Sequence, residues 1–143
     1  MNAYTRLAND FKLLDCVVRQ RDALGRCGRL SGRTAGRDPG ADARNLLFGL
    51  LLVCVVAQLE HDLDLLDGVP GLRGAGSLSA RLRLLRDHFQ ISHRKFSQLD
   101  KIRDARNSFV HSGAERVSLG LTRAEVPGCV VEFLQCCEHP SYP

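Results

Sequence analysis

The sequence predicts an all-α fold, an antiparallel helical bundle of about five helices, on three observations. Apolar residues recur at three- and four-residue steps in successive segments, which is the period of an amphipathic helix. Strand-type alternation is nearly absent, aromatic content is only 6% and there is no tryptophan. Glycine, proline and serine interrupt the apolar pattern at intervals suited to helix ends. With 143 residues, 44% of them hydrophobic, the chain reads as one domain spanning residues 1–143, large enough to bury a core without staples.

The first helix is predicted over residues 3–24, where Tyr4, Leu7, Phe11, Leu14, Val17 or Val18 and Leu24 line one face. Residues 25–40 hold five glycines and four arginines and read as a loop. Charge runs are usually solvated, so a linker is the plainer reading, and an arginine-rich arm for nucleic acid the sharper one. The second helix is expected over 41–67 with Asp42 as N-cap. Its segment 46–57 is apolar all round and needs cover on most sides, some of which a second copy of the chain could supply. Flanked by Asp42, Arg44 and Glu60, the run is expected to be too short for a bilayer, which takes about 20 residues. Glu60, Asp62 and Asp64 could make a carboxylate set, but residues two apart diverge by about 200° on a helix, so a solvated face is expected.

A loop follows from Gly68, after which Ser77 or Ser79 caps a third helix carrying Leu78, Leu82, Leu85, Phe89 and Ile91. A break near Ser92 or His93 leads into the fourth helix. Thr122-Arg-Ala-Glu125 has the form of a capping box opening a fifth, with Pro127 fitting best as the first helical residue. Val126, Val130, Val131, Phe133 and Leu134 give that helix an apolar face. Residues 139–143 read as a tail with too few anchors to pack. No Walker loop, GxGxxG or GxSxG is present.

Six cysteines occur without a CxxC pair, so no zinc site of the usual spacing is expected, and no metal is assigned. Cys129, Cys136, Cys137 and His139 are the weak alternative. The segment MNAYTRLANDF has no apolar signal core, and the thiols are therefore read as reduced and the chain as cytoplasmic. Of twenty cationic residues seventeen are arginine, and the net charge is +4, a balance compatible with phosphate partners without demanding them.

Chemistry concentrates in residues 99–113. At about 100° per residue, Leu99, Ile102, Ala105 and Phe109 share one side of the helix. Arg103, Asp104, Asn107 and His111 face away from them, with Arg106 and Val110 between. Ser112 and Gly113 supply a stop signal, which puts His111 on the last turn. The plain reading is a solvated helix end with His111 capping carbonyls. The sharper reading is a cationic, hydrogen-bonding cluster with one group that titrates near neutrality, suited to a phosphodiester. Arg83 and His88 have the same spacing as Arg106 and His111, but they lie inside a helix whose leucines must face a core.

The stretch Arg106-Asn107-Ser108-Phe109-Val110-His111 resembles the R-x4-H motif of the HEPN superfamily, small all-helical domains that carry it near the end of a late helix. The resemblance implies a metal-independent RNA endonuclease, of the kind found in toxin–antitoxin and phage-defence systems, acting as a homodimer with a composite active site. It implies catalytic roles for Arg106, Asn107 and His111, with Arg103 contributing to RNA binding and no cofactor. It also implies an antitoxin protein as a possible partner and no membrane. Family toxins controlled by adenylylation carry a tyrosine two positions after the histidine. Gly113 stands there, so that control is not expected. The alternative is a catalytically inactive HEPN-like module that binds a nucleotide or a partner protein.

Overall fold

The computed structural model describes residues 1–24, 39–111 and 117–143. Five helices occur among them: α1 (Ala3–Leu24), α2 (Pro39–Asp64), α3 (Leu78–His88), α4 (His93–His111) and α5 (Glu125–Cys136). The helical class and helix number expected from periodicity are therefore observed. Of the loop expected at 25–40, residues 25–38 lie outside the described residues, as does the Ser112–Gly113 stop, while Pro39 and Gly40 already belong to α2.

Helix α2 is the centre of the packing. Leu51, Leu52, Val55, Val56, Leu59 and Leu63 are buried along it, because α1, α4 and α5 all rest against it. Tyr4, near the start of α1, meets Asp62, near the end of α2, so these two helices run antiparallel. Phe109 on α4 lies over Gly49 early in α2, and Arg106 faces Glu60 late in α2, so this pair is antiparallel too. Helix α2 begins at Pro39, which places Asp42 inside it rather than at its cap.

The stretch Ala43–Asp64 has 22 residues with mean hydropathy 1.8, long and apolar enough to cross a membrane by length and composition. The expectation that it is too short is thereby corrected, since the helix continues past Glu60. The leucines and valines buried beneath its neighbours give a core helix the same composition.

Local signals set the remaining helix ends. The Ser77 hydroxyl accepts from the Ala80 N–H at 3.2 Å and opens α3. Gln90, at φ 53°, takes the left-handed conformation that turns the chain toward α4. Before α5 the Thr122 hydroxyl accepts from the Glu125 N–H at 3.3 Å, while the Glu125 carboxylate accepts from the Thr122 N–H at 2.7 Å. This reciprocal capping box holds the Glu125 carboxyl below the usual range. Pro127 is the third helical residue rather than the first, tolerated because first-turn N–H groups have no partner within the helix.

Two expectations about burial are corrected. The C-terminal tail is anchored: His139 and Tyr142 are buried. Asp62 is only 4% exposed and not part of a solvated face. The divergence of residues two apart still holds, since Glu60 is half-buried and Asp64 exposed, the latter paired with Arg81 on α3. On α1, Val17 and Leu14 are exposed while Val18 is half-buried.

Candidate functional site

Helix α4 carries the predicted residues, and one close approach seats its last turns on α2. A Cβ built on Gly49 would lie 2.1 Å from the Phe109 ring, so only glycine lets the aromatic ring seat directly on α2. Leu99, Ile102 and Ala105 are buried on the same side, which fixes the rotation of α4 about its axis.

That rotation separates the arginine of the motif from its histidine. Five positions turn a helix by about 500°, leaving Arg106 and His111 about 140° apart. Arg106 lies toward α2, 24% exposed, with Nη2 3.8 Å from Glu60 Oε1. At that length the pair is a weak through-space attraction. Its Nη1 donates to Asn107 Oδ1 at 2.8 Å. Because a guanidinium only donates, the amide oxygen must face it and the Asn107 NH₂ must point away.

His111 is exposed and makes no hydrogen bond or ion pair among the described residues. It lies four positions after Asn107, on the adjoining turn of one face, where side chains are neighbours. Asn107 and His111 therefore belong to one face of α4 and Arg106 to its edge. Arg103 is held by carboxylates on its own helix, 3.1 Å from Asp100 and 2.6 Å from Asp104. Its charge is thus largely neutralised locally. Arg83 and His88, which share the motif spacing, are both exposed on α3, and His88 stacks edge-on against Phe89.

The structure also contains a polar cluster that sequence reasoning did not find. Asp62 Oδ2 accepts from the hydroxyls of both Tyr4 and Tyr142, each at 2.8 Å. Asp62 Oδ1 accepts from the Gln58 amide at 3.0 Å. The Ser141 N–H donates to His139 Nδ1 at 3.2 Å, so Nε2 carries the proton and donates to the Asp62 backbone carbonyl at 3.0 Å. Burial raises both phenols well above their ordinary range, and their donation to the Asp62 carboxylate raises them further. Such phenols stay protonated and remain donors. Sequence distance hid this cluster, because its members come from α1, α2 and the tail. A tyrosine in the amphipathic face of α1 and another in the tail were its only signals.

No group of three or more histidine, cysteine or acidic residues able to hold a metal occurs among the described residues. Burial and the neighbouring Cys136 push the Cys137 thiol up to about 12, which leaves it a packing group rather than a ligand or nucleophile. Burial also raises the Cys129 thiol, with Glu132 and Glu125 adding to the effect.

Compared with known proteins, the chain matches no family model, no curated protein and no solved structure.

Proposed function

We propose that this protein is a HEPN-type, metal-independent RNA endonuclease that works as a cytoplasmic homodimer, as a toxin or defence effector. The observation that carries the reading is the end of α4. There an exposed His111 stands one turn from an Asn107 whose NH₂ is turned outward by Arg106. A proton-transfer group beside a fixed hydrogen-bond donor is what a phosphodiester needs.

In the reaction, His111 takes the proton from an RNA 2′-hydroxyl, and that oxygen attacks the adjacent phosphorus. The 5′ oxygen of the next nucleotide leaves, taking a proton from the histidine of the second copy. The products are a 2′,3′-cyclic phosphate and a 5′-hydroxyl end. Asn107 binds a non-bridging oxygen, and Arg106 places that amide and adds charge at the edge of the site. Arg103 is a weaker contributor to RNA binding, because Asp100 and Asp104 already hold it.

The second copy is supported by an uncovered apolar strip. Leu46 and Leu50 on α2 and Val110 on α4 are 53%, 42% and 50% exposed. Val110 follows Phe109, which seats on Gly49 between those two leucines in sequence. A two-fold contact on this strip brings two copies of the α4 terminus to one interface.

The test is incubation of purified protein with total RNA in EDTA, beside a His111→Ala variant and with light scattering on both. Cleavage by the wild-type dimer that disappears in the variant is expected. Intact RNA in both samples contradicts the reading. A second reading, an inactive module that binds a nucleotide or a partner protein through the same face, is favoured by the pairing of both Arg103 and Arg106 with acidic or amide neighbours. It predicts nucleotide or partner binding with no RNA cleavage.

A further inference from the structure

A groove of mixed polar and apolar lining, about 250 Å³, runs beside α4, between Lys101, Asp104 and Ala105 on the helix and Ser118, Leu119 and Gly120 on the segment that precedes α5. It lies on the histidine side of the helix. Asp104 is seven positions and Ser108 three positions before His111, so all three fall on one face. At this size it lies just below the range of small-molecule pockets, roughly 300–1,000 Å³, and takes a single planar base rather than a whole cofactor.

Some of its polar groups already have partners, Ser108 among them and the Val117 N–H, which donates to Asn45 Oδ1 at 2.8 Å, and others do not. Arg103 holds Asp104 through Oδ1 alone, from Nη2 at 2.6 Å and from Nε at 3.2 Å. Asp104 Oδ2 accepts no hydrogen bond among the described residues, although the carboxylate is already oriented. Lys101 makes no ion pair among them. The backbone groups of Ser118, Leu119 and Gly120 make no hydrogen bond among them either, and Ser118 and Gly120 are exposed. Ala105, Val117 and Leu119 supply apolar surface for a ring to lie on.

We propose that this groove seats one unpaired guanine of an RNA strand whose adjoining phosphodiester reaches His111. Of the four bases, guanine alone offers two adjacent N–H donors on its Watson–Crick edge together with a carbonyl acceptor beside them. The donors N1–H and N2–H₂ match the oriented Asp104 carboxylate, O6 matches a free backbone N–H of the 118–120 segment, and Lys101 meets a phosphate. The assignment rests on the ribonuclease reading for its substrate and adds a base preference to it.

The experiment measures fluorescence anisotropy of short single-stranded RNAs, 2′-O-methylated so that they cannot be cut. The strands are oligouridine, and the same strand with one central guanosine or one central inosine, which lacks the N2 amino group. Wild-type protein is expected to bind the guanosine strand on the order of tenfold more tightly than the inosine strand, as loss of one hydrogen bond to a charged group implies. In Asp104→Asn the guanosine and inosine strands are expected to bind equally, while oligouridine binds somewhat more tightly than to wild type because Arg103 loses one of its two carboxylate partners. Equal affinity for guanosine and inosine strands in the wild type overturns the base site, even if unmodified RNA is cleaved. A guanosine preference removed by Asp104→Asn without cleavage of unmodified RNA upholds the base site and overturns the nuclease. No binding of any strand overturns both.

Discussion

At the residue scale, Asp62 decides more than any other side chain, and it does so without touching the proposed chemistry. An ionised carboxyl in a core is costly unless its oxygens are filled, and Tyr4, Tyr142 and Gln58 fill them. Tyr142→Phe removes one donor to a charged acceptor, a loss of about 1.5–3 kcal/mol, and should lower the melting temperature by roughly 3–12 °C in thermal unfolding. Because Tyr4 and Tyr142 share one oxygen, the double Tyr→Phe variant should depart from additivity. A Tyr142→Phe protein that melts with the wild type means the tail is not bound through Asp62. Little of this was legible in the sequence, where Asp62 reads with Glu60 and Asp64 as part of a solvated face and nothing points to residues 58 and 80 positions away.

At the element scale, two contacts place the helices that matter. Gly49 admits Phe109 so closely that a methyl group there must displace the ring. Gly49→Ala should cost about 1–3 kcal/mol by overpacking, and it should reduce RNA cleavage more than its stability loss explains, since the displaced turn carries Asn107 and His111. Adding Phe109→Leu should restore part of both, measured by unfolding and by cleavage rate. The second contact ties α1 to the turn before α5, where Asp15 bonds Arg19 and Arg123. Burial raises the Asp15 carboxyl, and the two guanidinium bonds more than offset this, leaving it below the usual range. A group depressed in the folded state contributes stability above its unfolded value of about 3.9 and loses it as pH falls through the folded value. The melting-temperature difference between wild type and Asp15→Asn should therefore be steady above about pH 5 and shrink below about pH 4. The helices themselves were legible, α1 from residue 3 to residue 24 and the α5 capping box residue by residue. Their neighbours were not, because a period identifies a buried face without naming what covers it. The glycine in the α2 apolar run was the one sequence mark of a close helix contact.

For the whole molecule, the five helices among the described residues leave His111 at the end of α4 exposed beside the exposed Leu46 and Leu50 of α2. The sequence placed Arg106, Asn107 and His111 on that helix correctly. It did not anticipate that Arg106 would turn to Asn107 and Glu60, because spacing in a motif gives angular position and not the partner a long side chain reaches. The consequence is an amide and an imidazole on one face, which in the proposed reaction form half a site and require a second histidine for the second proton transfer. The central claim is tested most directly by mass spectrometry of the ends of a short single-stranded RNA after incubation in EDTA with wild type or His111→Ala. Wild type alone is expected to give 2′,3′-cyclic phosphate and 5′-hydroxyl ends. Uncut RNA from both proteins, or identical products from both, would contradict it.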